Sequence, residues 1–258
     1  MAAASISVSE TPLVLYTLRR ADDALILGHR LSEWCGHAPM LEEDMALSNI
    51  ALDLLGQARE LYSYAAKVEG KGNDEDKLAY LRDVRQYRNL LLVEQPNGDF
   101  AHTIVRQFFY SAFADLYWRA MMKSSDATLA AIAAKSEKES AYHLRHSSEW
   151  IVRLGDGTAE SHARAQTAID DLWAFTGEMF HADESELQLI ETGIAVDPAS
   201  LRPRWIETVS GIIGEATLAL PTSDWMQRGG RGGRHSEHLG HLLSELQYMQ
   251  RSFPGLTW

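Results

Sequence analysis

The chain has 258 residues, 45% of them hydrophobic and 23% charged, with 36 acidic against 24 basic side chains and a formal net charge of −12. That composition suits a soluble globular chain able to bury a large core, and the acid excess argues against general nucleic-acid or membrane-surface binding, because no surplus of Lys and Arg is present to neutralise phosphates. One cysteine, Cys35, excludes an internal disulfide and a cysteine-built zinc site. The opening MAAASISVSE lacks the basic start and apolar run of a signal peptide, and no stretch reaches the length of a transmembrane helix, so a cytoplasmic protein is expected.

Thr11 can cap and Pro12 fits a first turn, and residues 13–34 carry Leu15, Leu18, Ala24, Leu25 and Leu31 at helical spacing until Gly36 ends the run. The following link, GHAP, is short and predicts an antiparallel neighbour. Residues 40–68 give the longest helical signal. Pro39 is expected in its first turn, with Glu42, Glu43 and Asp44 at the positive end of the helix dipole. Leu47, Ile50, Ala51, Leu54, Leu55, Ala58, Leu61 and Tyr62 then recur as an apolar band. Beside it run Asn49, Asp53 and Gln57, four residues apart and so on one edge of the helix.

A polar Gly/Asn turn comes next, then a short helix and the apolar run 90–93 within residues 78–94. The turn PNGD leads to a helix over 100–122, capped by Asn97 or Asp99 and rich in aromatic residues (Phe108, Phe109, Tyr110, Phe113, Tyr117, Trp118). That is more than one face needs, which makes this helix the expected partner surface. A helix over 127–154 completes a second hairpin. Further helices are expected over 159–180, 181–191, 204–218 and 236–253, and strand signals are nearly absent. The fold class is therefore all-α: one domain over 1–258, with a bundle core at about 12–155 and accessory helices at about 159–253.

A polar seam within an apolar face has two meanings: a buried metal or substrate site, or hydrogen-bonded core groups. A di-iron bundle needs one Glu from each of two helices and a Glu-x-x-His pair from each of two others. Ser140 stands three residues before His143, and Leu54 three before Gln57, where the pattern asks for Glu. Asp99-x-x-His102 falls where Asp caps a helix, and Glu178-x-x-His181 falls at a helix end. Glu139 and His143 read as a hydrogen-bonded pair. His235, His238 and His241 drift around their helix and read as a solvated helix start. The loop RGGRGGR, with Arg228, Arg231 and Arg234, matches no phosphate-loop fingerprint. It reads as a flexible surface loop or as an anion site.

Several stretches together carry a resemblance: LGHRLSEWCGHAP, LSNIALDLLGQARELYSYAA, NLLLVEQPNGDFAHTIVRQ, ESAYHLRH, ETGIAVDP and EHLGHLLSELQYMQR. They resemble the structural subunits of the ring-1,2-phenylacetyl-CoA epoxidases of aerobic phenylacetate breakdown, from about Leu13 to Trp258, with only the N-terminal leader unplaced. The resemblance implies a ferritin-like four-helix bundle with additional C-terminal helices, similar to the catalytic di-iron subunit PaaA but without its iron ligands. It implies pairing with PaaA, with a small bridging subunit and with a flavin/iron–sulfur reductase, in a complex that uses NADPH and O2. It implies no catalytic, cofactor-binding or metal residue in this chain, the di-iron centre being expected in the partner. A homodimer is the other assembly open to the chain. The competing reading is a ferritin-like metalloenzyme with a non-standard site built from Asp53, Glu139, His143 and Glu33. A milder variant has the Arg228, Arg231 and Arg234 loop holding the CoA tail.

Overall fold

In a computed structural model, which describes residues 4–256, the Thr11 hydroxyl accepts the N–H of Val14 and Pro12 occupies the first turn. Helix α1 (Pro12–Ser32) thus starts where the Thr-Pro pair predicts. Met1 to Ala3 of the leader, and Trp258 at the end of the resemblance, lie outside the described residues. The second helix, α2 (Leu41–Glu69), is N-capped by extended Met40, with Glu42, Glu43 and Asp44 in its first turn. Pro39 therefore precedes the helix rather than entering it, because the chain is still extended at Met40. The two helices run antiparallel: Tyr62 donates to Asp22 at one end, and Gly28 lies against Ala51, Leu54 and Leu55 farther along.

The link to the second hairpin holds α3 (Glu75–Tyr80) and the single turn α4 (Leu91–Glu94). The leader is placed beside it: the Ile6 N–H donates to Leu81 and the Ser9 N–H to Glu69. Asp99 and Asp126 accept the free N–H groups that start α5 (Phe100–Met121) and α6 (Ala127–Gly155). These two also run antiparallel, with the Phe100 and Trp150 rings edge to face at 4.9 Å and Arg119 paired to Glu137 at the other end.

Helix α5 is the centre of the molecule, buried on nearly every side. Its aromatic residues are not a partner surface. Phe109 touches Trp173 and Trp205, and Phe113 touches Phe180, all supplied by the chain's own C-terminal half. The expected outward aromatic face is absent because α7 (Ala159–Trp173) and α9 (Arg202–Glu215) cover the side that the bundle leaves open.

Two helices differ from the pattern in the sequence. The expected helix over 159–180 stops at Trp173: Gln227 takes the Ala174 carbonyl at 2.7 Å, the Thr176 hydroxyl takes that of Trp173, and a 3-10 turn (Gly177–Phe180) comes next. The C-terminal run divides into α10 (Glu237–Leu246) and α11 (Tyr248–Ser252), because Gln247 between them turns its amide inward to Arg82 and Tyr87. Between Phe180 and α9 lies α8 (Glu184–Glu191). Among the described residues there is no strand, and no helix is long and apolar enough to cross a membrane.

Candidate functional site

The seam on α2 becomes one side of a ladder with α6. Glu43 meets His146 at 2.9 Å, Asp53 meets His143 at 3.0 Å, Gln57 donates to Glu139 at 2.8 Å and Lys135 donates to Glu60 at 2.7 Å. Tyr64 closes the series by donating to Asp126. Asn49 is exposed and takes no part, since the helix turns it to the outer edge. Glu139 and His143 are not bonded to one another; each reaches across to α2 instead. Burial raises the Glu139 carboxyl above its ordinary value, and the nearby Asp53 charge adds to that, while the bond from Gln57 opposes it.

The inner sides of the four bundle helices carry Gly28 on α1, Leu54 and Gln57 on α2, Gln107 on α5, and Ser140 and His143 on α6, all of them buried. All four helices are in place for a di-iron centre, but the side chains do not fit one. On α1, the buried carboxylates Asp22 and Asp23 are held by Arg82 and Arg231, and at Gly28 even a Cβ would sit 3.3 Å from the Ala51 carbonyl oxygen and 3.3 Å from Leu55 Cγ. Leu54 is apolar and buried. Gln107 is a neutral amide that donates to Ser111 at 2.9 Å and leaves its own oxygen without a partner. His143 already holds Asp53. Glu33, the remaining member of the non-standard set, pairs with Arg30 and Asn97 and stands outside the ladder. Among the described residues, no group of three or more His, Cys, Asp or Glu gathers as a metal-holding set.

The other residues singled out in the sequence are dispersed. Asp99 caps α5, and His102 lies between Asp99 and Asp171, each at 3.0 Å. Burial pulls the imidazole pKa down, but the bonds to Asp171 and Asp99 prevail and hold it above its ordinary value. Glu178 is buried and accepts the N–H groups of Leu91, Gly229 and Arg231, whereas His181 is exposed, so the pair never converges. His235 is not a solvated helix start: its ring lies 2.7 Å from buried Glu94 and 3.0 Å from the Tyr87 carbonyl.

The glycine–arginine loop is no flexible surface loop. Gly229 and Gly230 are buried, and Arg231 enters the interior, where it holds both oxygens of Asp23 at 2.7 and 3.0 Å and the carbonyls of Arg19 and Arg88. A guanidinium so engaged is not free for a phosphate, which removes Arg231 from the expected anion site.

A buried ionic network on α1 is absent from the sequence reading. Arg19 pairs with Asp183 and Glu186, Arg20 with Glu186 at 2.9 Å, and Asp22 with Arg82. Burial pushes the Asp23 carboxyl up, against the pull of Arg231 and Arg20. The run Arg19-Arg20-Ala21-Asp22-Asp23 inside an apolar helix is the available signal, since four charges within one and a half turns must include some that face inward.

Fold and site together define a helical bundle of the ferritin-like kind whose inner helix sides carry glycine, leucine, two amides, a serine and a histidine already bonded to Asp53. The whole chain, residues 1–258, matches the PaaA_PaaC family model, described as phenylacetic acid catabolic protein, and the chain belongs to that family. Along 246 residues it is 55% identical to a 1,2-phenylacetyl-CoA epoxidase subunit of Escherichia coli (strain K12), an alignment that covers 95% of this chain and 99% of that relative.

Proposed function

We propose that the chain is a non-catalytic structural subunit of a multicomponent monooxygenase that epoxidises the ring of phenylacetyl-CoA in phenylacetate catabolism. It pairs with a homologous di-iron catalytic subunit, PaaA, and works in the cytoplasm with a small bridging subunit and a reductase. The observation that carries this reading is the filled bundle centre: Gly28, Leu54, Gln57, Gln107 and Ser140 stand on the inner helix sides, and His143, the imidazole among them, is held by Asp53, whereas a di-iron homologue needs two Glu and two Glu-x-x-His pairs pointing inward. The likeness to a relative named as an epoxidase subunit supports the assembly.

The partner face in this reading lies on α2. Leu41, Met45 and Leu52 share one side of that helix and are 71%, 59% and 65% exposed, with exposed Tyr142 of α6 beside the seam. Large apolar side chains left open along one helix face fit a subunit contact. The experiment has two parts. The purified chain, expressed with ample iron, should hold close to none; about two irons per chain would establish the competing metalloenzyme reading instead. Co-expression with the homologous di-iron subunit should give a stable complex that Met45→Asp with Leu52→Asp dissociates. If those variants leave the complex intact and instead abolish a homodimer of this chain, the face belongs to self-association.

A further inference from the structure

Over the C-terminal half of α2, a groove of about 570 Å³ opens between this helix and α6. Gly56, Arg59 and Lys67 line it from α2, spaced so that they share one side of the helix, and Ile132 and Lys135 line it from α6. Leu52 stands one turn before Gly56, and Tyr142 two turns after Lys135, so the groove continues the exposed apolar face of α2.

The lining is cationic. Among the described residues, Arg59, Lys67 and Lys135 face one carboxylate, Glu60, which Lys135 already holds at 2.7 Å. The Arg59 side chain is 78% exposed, and its ion pair to Glu75 is stretched to 3.9 Å. Lys67 is exposed and has neither an ion pair nor a side-chain hydrogen bond among the described residues. On a chain of net charge −12 the groove is a local reversal of sign.

Gly56 points the same way. It lies in the middle of α2 with ordinary helical backbone, where glycine is a poor helix former. A Cβ there would meet nothing within 4 Å, in contrast to Gly28, which is packed against the neighbouring helix. Nothing inside the molecule calls for glycine at this position. What it allows is the close approach of another backbone from outside.

We infer that the groove seats an acidic helix of the subunit that pairs on the α2 face, its backbone close over Gly56 and its carboxylates at Arg59, Lys67 and Lys135. The inference rests on the pairing proposed above and adds the chemistry of the partner. A third helix laid between two others is ordinary ridge-into-groove packing. Charges of opposite sign along such a contact fix its orientation and speed the encounter.

The test is surface plasmon resonance of the full chain against the homologous di-iron subunit, at low and at high salt. Gly56→Leu should weaken the complex about tenfold, the scale of one overpacked contact. Gly56→Ala should raise the melting temperature of the isolated chain, since a Cβ has room there. Arg59→Glu with Lys67→Glu should slow association about tenfold at low salt, and the difference should shrink as salt rises. The altered positions face solvent, so the variants are expected to fold, which circular dichroism checks. Unchanged binding of either Gly56→Leu or the double charge reversal overturns the inference; if Met45→Asp with Leu52→Asp still dissociates the complex, the pairing itself stands. No complex with the wild-type chain at either salt overturns the pairing and the inference together.

Discussion

Arg231 holds its place in the interior by four hydrogen bonds, two of them to a carboxylate that has no water to turn to. Arg231→Ala would leave Asp23 buried without its principal counter-charge, which costs about 3–5 kcal/mol. Arg231→Lys should recover little of this, since one ammonium cannot span both Asp23 oxygens and two carbonyls. Urea unfolding followed by circular dichroism measures both. Glu139 tests the opposite sign. Its carboxyl is raised above its ordinary value of 4.5, so the folded state binds the proton more tightly than the unfolded chain. Its favourable contribution is complete below that ordinary value and is lost as pH rises through the raised one. Glu139→Gln keeps an acceptor for Gln57 and removes the titration. Its melting temperature should equal or exceed that of the wild type near neutrality, and the wild type should gain on it as pH is lowered from roughly 7 to 4. A constant difference across that range would refute the assignment.

Among the elements, α5 shows how far periodicity reaches. Its start at Phe100 and its cap Asp99 are legible, because capping is a contact between residues three apart. Its surroundings are not. An aromatic helix buried all round and one with an outward aromatic face have the same pattern, and only α7 and α9, distant in the chain, decide between them. Phe109 is fully buried among Trp173 and Trp205. Phe109→Ala should therefore cost about 3–5 kcal/mol, read as a lowered urea midpoint. The same substitution on an interface face would leave the isolated chain's stability nearly unchanged. Tyr142, exposed on α6, is the contrasting position: Tyr142→Ala should alter the midpoint little.

Across the whole molecule, the C-terminal third supplies partners for buried polar groups of the first half. Arg231 serves Asp23, His235 and the Ser236 N–H serve Glu94, and the Gln247 amide donates to the Arg82 carbonyl and the Tyr87 hydroxyl. Such pairs join residues far apart in sequence, which is why the bundle core can be read from hairpins while the interior roles of Arg231 and His235 cannot. The seam is half legible for the same reason: the α2 side shows as a spacing, but its partners on α6 are fixed only by packing. A chain ending at Pro221 would keep all four bundle helices and yet leave Asp23 and Glu94 buried and short of partners. It should fail to unfold cooperatively by calorimetry, where a self-sufficient bundle would give a sharp transition.

The close approach at Gly28 also sets a direction for sequence change. With α2 lying against that position, a side chain gained there presses on the Ala51 carbonyl oxygen and on Leu55 Cγ, so α1 and α2 must give way by a few tenths of an ångström to take it. A carboxylate gained alone at Leu54 or Gln107 is an unpaired charge in the core, at a cost of several kcal/mol. Each single step toward an ion-binding centre is therefore uphill, and only simultaneous replacement on several helices crosses the valley. Close packing at Gly28 and the cost of an unpaired charge at Leu54 or Gln107 act together as a ratchet that keeps the centre closed.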